Sequence, residues 1–189
     1  NGQTQSLANP VVYGVFGGDS VTVTGGASGT NAGTYTSSYA LSGSSASNYV
    51  ISANAPTLTI SPASLIVTAN NAGKFVTQSD PTLTYATNGL QGSDTVASIG
   101  LNVAISRAAG ESAGNYAITV SGASSTQNYN VTYQPGVFTV VPVDTLLITM
   151  NNAATTYGSA TTFSSTNGNV VSVQYATRSG GSMVIVHSL

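Results

Sequence analysis

Residues 113–153 read AGNYAITVSGASSTQNYNVTYQPGVFTVVPVDTLLITMNNA, and residues 32–72 read AGTYTSSYALSGSSASNYVISANAPTLTISPASLIVTANNA. The two stretches are one phrase written twice. Ala-Gly-x-Tyr begins at Ala32 and Ala113, Asn-Tyr at Asn48 and Asn128, a proline stands at Pro62 and Pro142, and Asn-Asn-Ala begins at Asn70 and Asn151. The landmarks lie 81, 80, 80 and 81 residues apart. Spacing that constant marks a tandem structural repeat of about 80 residues, each unit closing its own small core.

Working outward from the phrase, the apolar residues recur at spacing two, the period of a strand. Residues 20–24, SVTVT, alternate between glycine pairs, and residues 65–69, LIVTA, and 82–86, TLTYA, read as further strands. In residues 96–106 the aliphatic side chains of Ile99, Leu101, Val103 and Ile105 fall on one face. Residues 49–52 and 57–61 are expected to form a hairpin about Asn54-Ala55-Pro56, and residues 129–133 and 137–141 the matching one over Gln134-Pro135-Gly136, where Pro-Gly fits a type II turn. Residues 170–176 and 182–188 form a terminal hairpin over Arg178-Ser179-Gly180-Gly181, without counterpart in the earlier copies. Residues 1–10 carry no period and read as a frayed lead-in. No window has apolar residues at i, i+3, i+4 and i+7, so little or no helix is expected.

Composition narrows the function. Charged residues make up 4% of 189, against roughly 25% in an ordinary soluble domain. With three Lys plus Arg and a net charge of −2, the chain has no basic cluster to meet phosphates, which excludes nucleic acid as a partner. Hydrophobic content of 41% implies a buried core, not a disordered linker. The absence of cysteine removes disulfides, thiolate metal sites and thiol catalysis, and suits a bacterial surface protein better than a disulfide-bonded eukaryotic one. No run of apolar residues long enough for a signal peptide or a membrane span is present, and the repeat begins and ends in mid-phrase, as in an excerpt of a longer protein.

Residues 65–142, LIVTANNAGKF…DPTLTYATNGL…GSDTV…ISRAAGESAGNYAITV…NYNVTYQPGVFTVVP, resemble the MBG repeat domain of large bacterial surface proteins. Residues 14–62 are similar to the second half of the related YDG-type repeat through GGDSVTVTGG, AGTY and ASNYVI, and residues 147–158, with TTYG, look like the start of another unit. The resemblance implies an all-β stalk of a filamentous haemagglutinin-like adhesin, secreted by a two-partner pathway and used in biofilm or host attachment. Two departures stand out: Lys74-Phe75-Val76-Thr77 lacks the Tyr and Gly of the family's K-x-Y-G turn, and Gly92-Ser93-Asp94 replaces Gly-Asp.

Residues able to carry chemistry are few. The acids Asp19, Asp80, Asp94, Glu111 and Asp144 are scattered over loops and the single histidine, His187, is far from them in sequence, so no acid, base and nucleophile converge. Calcium, which takes 6 to 8 oxygen ligands, finds no loop with two acids within six residues. Asp19 and Asp94 read as turn-bonding residues, and Arg107 with Glu111, at spacing four about Gly110, as an ion pair or backbone clamp across a turn. An internal isopeptide crosslink would have to use Lys74, the only lysine. The recurring Tyr35, Tyr49, Tyr116 and Tyr129 read as core residues with bonded hydroxyls in preference to a sugar-stacking platform, and Asn130-Val131-Thr132 matches a glycosylation sequon.

The sequence therefore predicts an all-β chain of small β-sandwich-like or β-grasp-like modules in a rod. Residues 1–62 form the closing part of a first, YDG-like module, 63–142 a complete MBG-like module, and 143–189 a partial third with the terminal hairpin. Proline connectors, Ser61-Pro62-Ala63-Ser64 and Val141-Pro142-Val143-Asp144, make the junctions semi-rigid. The expected function is a non-catalytic stalk of a secreted bacterial adhesin, with no catalytic, metal or cofactor site and with neighbouring modules as partners. Two other readings fit the same residues: modules that bind extracellular polysaccharide or a host surface, and self-association through edge strands such as 182–188.

Overall fold

A computed structural model describes residues 2–142, 146–150, 170–179 and 182–188. By contacts the chain falls into two compact units, one of Asn1–Ala63 with Leu90–Ile99 and Ser125–Asn130, the other of Ser64–Gly89, Gly100–Ser124 and Val131–Leu189. Among the described residues the regular elements are strands apart from one turn of 3-10 helix at Ala46–Asn48, in keeping with the expected all-β class.

Six short strands lie in the first unit: β1 (Gln5–Ser6), β2 (Thr22–Gly25), β3 (Ser28–Gly29), β4 (Gly33–Thr36), β5 (Tyr39–Ser42) and β6 (Thr57–Ile60). They pair two by two, β1 with β3, β2 with β5 and β4 with β6, all antiparallel. The pairing of β1 corrects the expectation of a frayed lead-in: Gln5 and Ser6 are polar and show no period, and what orders them is backbone bonding to Ser28 and Gly29, which leaves no signature in side-chain hydropathy.

The remaining strands, which apart from Ala63, Tyr129 and Asn130 belong to the second unit, are β7 (Ala63–Ala69), β8 (Ala72–Phe75), β9 (Tyr85–Asn88), β10 (Ala104–Arg107), β11 (Gly114–Ser121), β12 (Tyr129–Gln134), β13 (Gly136–Val141), β14 (Leu146–Met150), β15 (Val170–Ser179) and β16 (Ser182–Ser188). One sheet runs β10-β11-β13-β8, a second β12-β7-β9, and a third β14-β15-β16. The expected terminal hairpin is β15 with β16. The first two sheets each bury one face: Leu65, Val67 and Ala69 alternate inward on β7, Ile118 and Val120 on β11, and Phe138 and Val140 on β13. Spacing two in the sequence is thus the inward face of two sheets that close one core.

Two expected hairpins are corrected. β12 and β13 are consecutive but belong to different sheets, because the chain switches sheets at Gln134-Pro135-Gly136. Pro135 has no N–H to donate to a ladder. Gly136 is buried without a positive φ, and its role is close approach: a Cβ there would stand 2.7 Å from the Ala69 carbonyl oxygen. In the earlier copy only 57–60 is a strand, and it pairs with β4, while 49–52 joins no strand. The extended region expected over 96–106 is likewise shorter. Residues 96–100 form turns, Ile99 N–H bonding to Thr95 O, and only β10 is a strand.

The repeated phrase reappears as repeated geometry. Gly33 faces Ile60 and Tyr35 faces Leu58 across β4 and β6; Gly114 faces Val140 and Tyr116 faces Phe138 across β11 and β13. Tyr35 donates its hydroxyl to Asn31 O at 2.9 Å and Tyr116 to Ser112 O at 2.8 Å, each four residues back. Their rings lie over Gly29 and Gly110, where a Cβ would come within 2.2 and 2.0 Å of the ring.

Ile118 is fully buried at the centre of the second unit. Ile118→Asn is expected to lower the free energy of unfolding by about 2 to 4 kcal/mol, through lost packing and an unpaired amide, whereas Val137→Asn, 43% exposed on the neighbouring strand, should change it by less than about 0.5 kcal/mol. Urea unfolding of the two variants separates these outcomes.

Candidate functional site

The sheet order places one concentration of charge. Arg107 ends β10, Tyr116 and Phe138 face each other on β11 and β13, and Lys74 sits on β8 opposite Val140. The Arg107 guanidinium therefore crosses the sheet over the Tyr116 and Phe138 rings, 5.7 and 4.7 Å from their centroids, within cation–π range. It meets the loop carrying Asp80 and the turn carrying Glu111.

The contacts form a closed ring of four ions. Arg107 Nε stands 2.5 Å and Nη2 3.0 Å from the two Asp80 oxygens, a bidentate pair, and Nη2 lies 2.6 Å from Glu111 Oε1. Its Nη1 donates to Ala108 O at 2.9 Å and Gly110 O at 2.8 Å. Lys74 Nζ stands 2.7 Å from Asp80 Oδ1 and donates to Glu111 Oε2. Lys74 and Arg107 are nearly buried, with 4% and 9% of their side chains exposed, whereas Asp80 and Glu111 keep 39% and 64%. The arrangement is a pair of buried cations capped by two carboxylates at the surface.

Each ion holds the others charged. The bonds from Arg107 and then Lys74 pull the Asp80 carboxyl down to about 2, and those from Lys74 and Arg107 lower Glu111. Asp80 and then Glu111 raise both Lys74 and Arg107, overcoming the opposing effect of burial. An ammonium held protonated is no nucleophile and a carboxylate held ionised is no general acid, so the cluster is chemically quiet in the neutral range. The same fields oppose an isopeptide bond, which needs a neutral Lys74 amine attacking a protonated Asp80 carboxyl and releasing water.

The Arg107–Glu111 clamp was legible in the R-x-x-G-E spacing; the participation of Lys74 and Asp80 was not. One signal for it existed: a lone lysine in the short strand AGKF, beside Phe75, must find anions if its strand is to pack. Asp19 and Asp94 close local turns, as the sequence led us to expect, and in addition accept from distant tyrosines. Tyr49 donates to Asp19 Oδ2 at 2.5 Å and Tyr129 to Asp94 Oδ2 at 2.5 Å. The same hydroxyls accept from Phe16 N–H at 3.1 Å and Gln91 N–H at 2.9 Å, and Asp19 and Asp94 N–H close turns on Phe16 O and Gln91 O. Bonding to Asp19 raises the Tyr49 pKa, and burial followed by bonding to Asp94 raises that of Tyr129. All four repeated tyrosines thus have bonded hydroxyls. Asn130 of the sequon is exposed. Asp144 lies outside the described residues, and His187 lies on β16. Among the described residues no three His, Cys, Asp or Glu converge as metal ligands, and no helix is long and apolar enough to cross a membrane.

Residues 65–139 match the family model of the MBG domain, YGX type. The match covers the part of the chain whose motifs resemble that repeat and contains the whole ion cluster, and it makes this segment similar to a family of non-catalytic repeat domains of surface proteins. No curated protein and no solved structure matches the chain.

Two outcomes test the cluster. A carboxyl depressed in the folded state contributes stability above its unfolded pKa, about 3.9, that is lost as pH falls through the folded value. Thermal stability should therefore drop between pH 4 and pH 2, and Asp80→Asn should be less stable than the parent at pH 6 but level with it near pH 2. Intact mass spectrometry should give the full sequence mass; a deficit of one water, absent in Lys74→Arg, would establish the crosslink instead.

Proposed function

We propose that the chain is a structural stalk segment of a secreted bacterial surface adhesin, in which modules 1–62, 63–142 and 143–189 serve as spacers that carry a binding region away from the cell. One observation carries the reading. The residues that look most like ligand contacts, the recurring tyrosines and the Arg107 cluster, spend their polar groups inside the fold. The equivalent tyrosines make equivalent bonds in both copies, as a requirement of the fold would dictate and a binding site need not.

The junction chemistry supports a spacer. Within the first unit, Asn128 accepts from Ala32 N–H at 2.7 Å through its side chain, donates to Asn31 Oδ1 at 2.9 Å, and accepts from Ala63 N–H at 2.8 Å through its carbonyl. A repeated Asn-Tyr that ties loop 125–130 to the connector resists bending where a Gly/Ser linker would not. Adhesion and biofilm formation then belong to the protein that carries the stalk, with extracellular polysaccharide or a host surface as its target.

The chain applied to an array of bacterial and host glycans should give no saturable signal. Saturable binding that is lost on replacing an exposed polar residue, with the fold intact, would make the modules themselves the binding region and overturn the spacer reading.

A further inference from the structure

The strands that open and close the MBG segment lie side by side in the second unit. β7 runs in the sheet β12-β7-β9, the chain crosses at Asn70-Asn71, and β8 continues in the sheet β10-β11-β13-β8, parallel to β13, the strand that ends just before Pro142. The register sets Ala72 against Phe138, Gly73 against Thr139, Lys74 against Val140 and Phe75 against Val141. Bonds extend the contact at both ends: Asn71 Oδ1 accepts the Val137 N–H at 2.8 Å before the ladder, and the Val76 N–H donates to Val141 O at 3.0 Å after it. This connectivity has a mechanical consequence. Tension on the chain draws β8 toward its N-terminus, through β7, and β13 toward its C-terminus. Two strands that run in one direction are thus pulled along each other in opposite ones, and every bond between them is loaded at once. Strands pulled apart from a shared end would instead lose their bonds one after another.

The ion cluster straddles this pair. Lys74 lies on β8 at one edge of the sheet and Arg107 on β10 at the other, and the register puts both on the face that holds Tyr116, Ile118, Phe138 and Val140. Asp80 pairs with both cations and so does Glu111, so the two edge strands are strapped together over β11 and β13. Arg107 in turn rests on the Phe138 ring of β13. β8 cannot slide along β13 without drawing Lys74 from both carboxylates. Lys74 and Phe75 are both buried, so a slide also strips Phe75 of its packing and leaves an ammonium unpaired. β7, pulled lengthwise ahead of β8, is held by Leu65, Val67 and Ala69 in the core.

We propose that β8 and β13, locked by the ring of Lys74, Asp80, Arg107 and Glu111, form a shear clamp that gives the MBG segment a load-bearing function, resisting tension carried along the chain from either side of it. Resistance to force is set by the rate of unfolding along the direction of pull and not by equilibrium stability. A cluster that adds little net stability therefore still adds to mechanical strength, because its bonds must break in the same step as the ladder. The chain has no cysteine to close a disulfide, and its one lysine is committed to the lock. The inference rests on the spacer reading only for the presence of tension. Ligand binding would overturn that reading and leave the clamp standing, and a pulling measurement decides the clamp alone.

Single-molecule force spectroscopy of the whole chain tests it, and the absence of cysteine lets introduced pairs place the handles. Ser64, Thr77 and Pro142 are all exposed. Handles on Ser64→Cys with Pro142→Cys load the clamp in shear, whereas handles on Thr77→Cys with Pro142→Cys pull from the end that the parallel strands share and unzip it. At one loading rate the shear pair should yield at a several-fold higher force than the unzipping pair. Lys74→Met, which keeps an apolar stem and removes the charge, should lower the force in shear and have a much smaller effect in unzipping, where a general loss of stability would lower both in proportion. Equal forces in the two geometries of the parent chain, a Lys74→Met chain as strong in shear as the parent, or a proportional loss in both geometries would overturn the proposal. The comparison of geometries in the parent alters no buried residue, so it decides the clamp without any reliance on the folding of Lys74→Met.

Discussion

The second unit depends on one strand. β7 lies between β12 and β9, turns Leu65, Val67 and Ala69 into the core, and leaves no room for side-chain bulk at Gly136, where the chain crosses from one sheet to the other. Burial of aliphatic side chains on a single central strand fixes register as well as stability, because a slip of one residue would send Ile66 and Thr68 inward in place of Leu65 and Val67. The rest of the unit follows: Ile118, Phe138 and Val140 are fully buried or nearly so because two sheets close over one core, and the polar members of each alternation are left on the outside.

A chain with so few charges gathers two of its three basic and two of its five acidic residues into one place. The cations are inside and the anions are at the rim, which is the workable order. Lys74 and Arg107 carry long apolar stems that pack, and the Tyr116 and Phe138 faces receive the guanidinium, while the carboxylates retain part of their hydration. The cluster draws on all four strands of its sheet, β10 through Arg107, β11 and β13 through the Tyr116 and Phe138 rings and β8 through Lys74, and on the loop holding Asp80, so it specifies how those pieces meet. Its loss would leave a buried ammonium unpaired, which makes it a constraint on the fold more than a surplus of stability.

The strands from 65 onward were legible because short runs rich in β-branched and aromatic residues stand between turn signals, as in 65–69 and 137–141, and the all-β class followed. Sheet membership was not. Adjacent strands in sequence usually pair, and Pro135-Gly136 reads as a hairpin turn, yet the constraint at Gly136 comes from the carbonyl of Ala69, a residue 67 positions earlier in the chain. Strands held by backbone bonds between polar residues, such as β1, leave no trace in a hydropathy pattern. The tyrosine bonds to Asp19 and Asp94 were half legible: repetition marked the rings as structural, but the acceptors lie 30 and 35 residues away, beyond any local rule.

The two copies differ in how their core-facing positions are filled. Where the second unit buries Ile118, the position 81 residues earlier is Ser37, itself 6% exposed, and its Oγ accepts the Ala27 N–H at 3.1 Å. Where the second has Phe138, the first has Leu58, only half-buried. A serine at a core-facing position is costly in a dry interior unless bonded, and here it bonds to a backbone donor that a closed apolar core would have had to satisfy otherwise. In the first unit a local hydrogen bond takes the place of part of the apolar core, while β4 and β6 keep the register of β11 and β13. The tyrosine bonds, the glycines under the rings and the strand register recur in both copies, whereas the burial of Val131 does not recur at Ile51, which is 37% exposed.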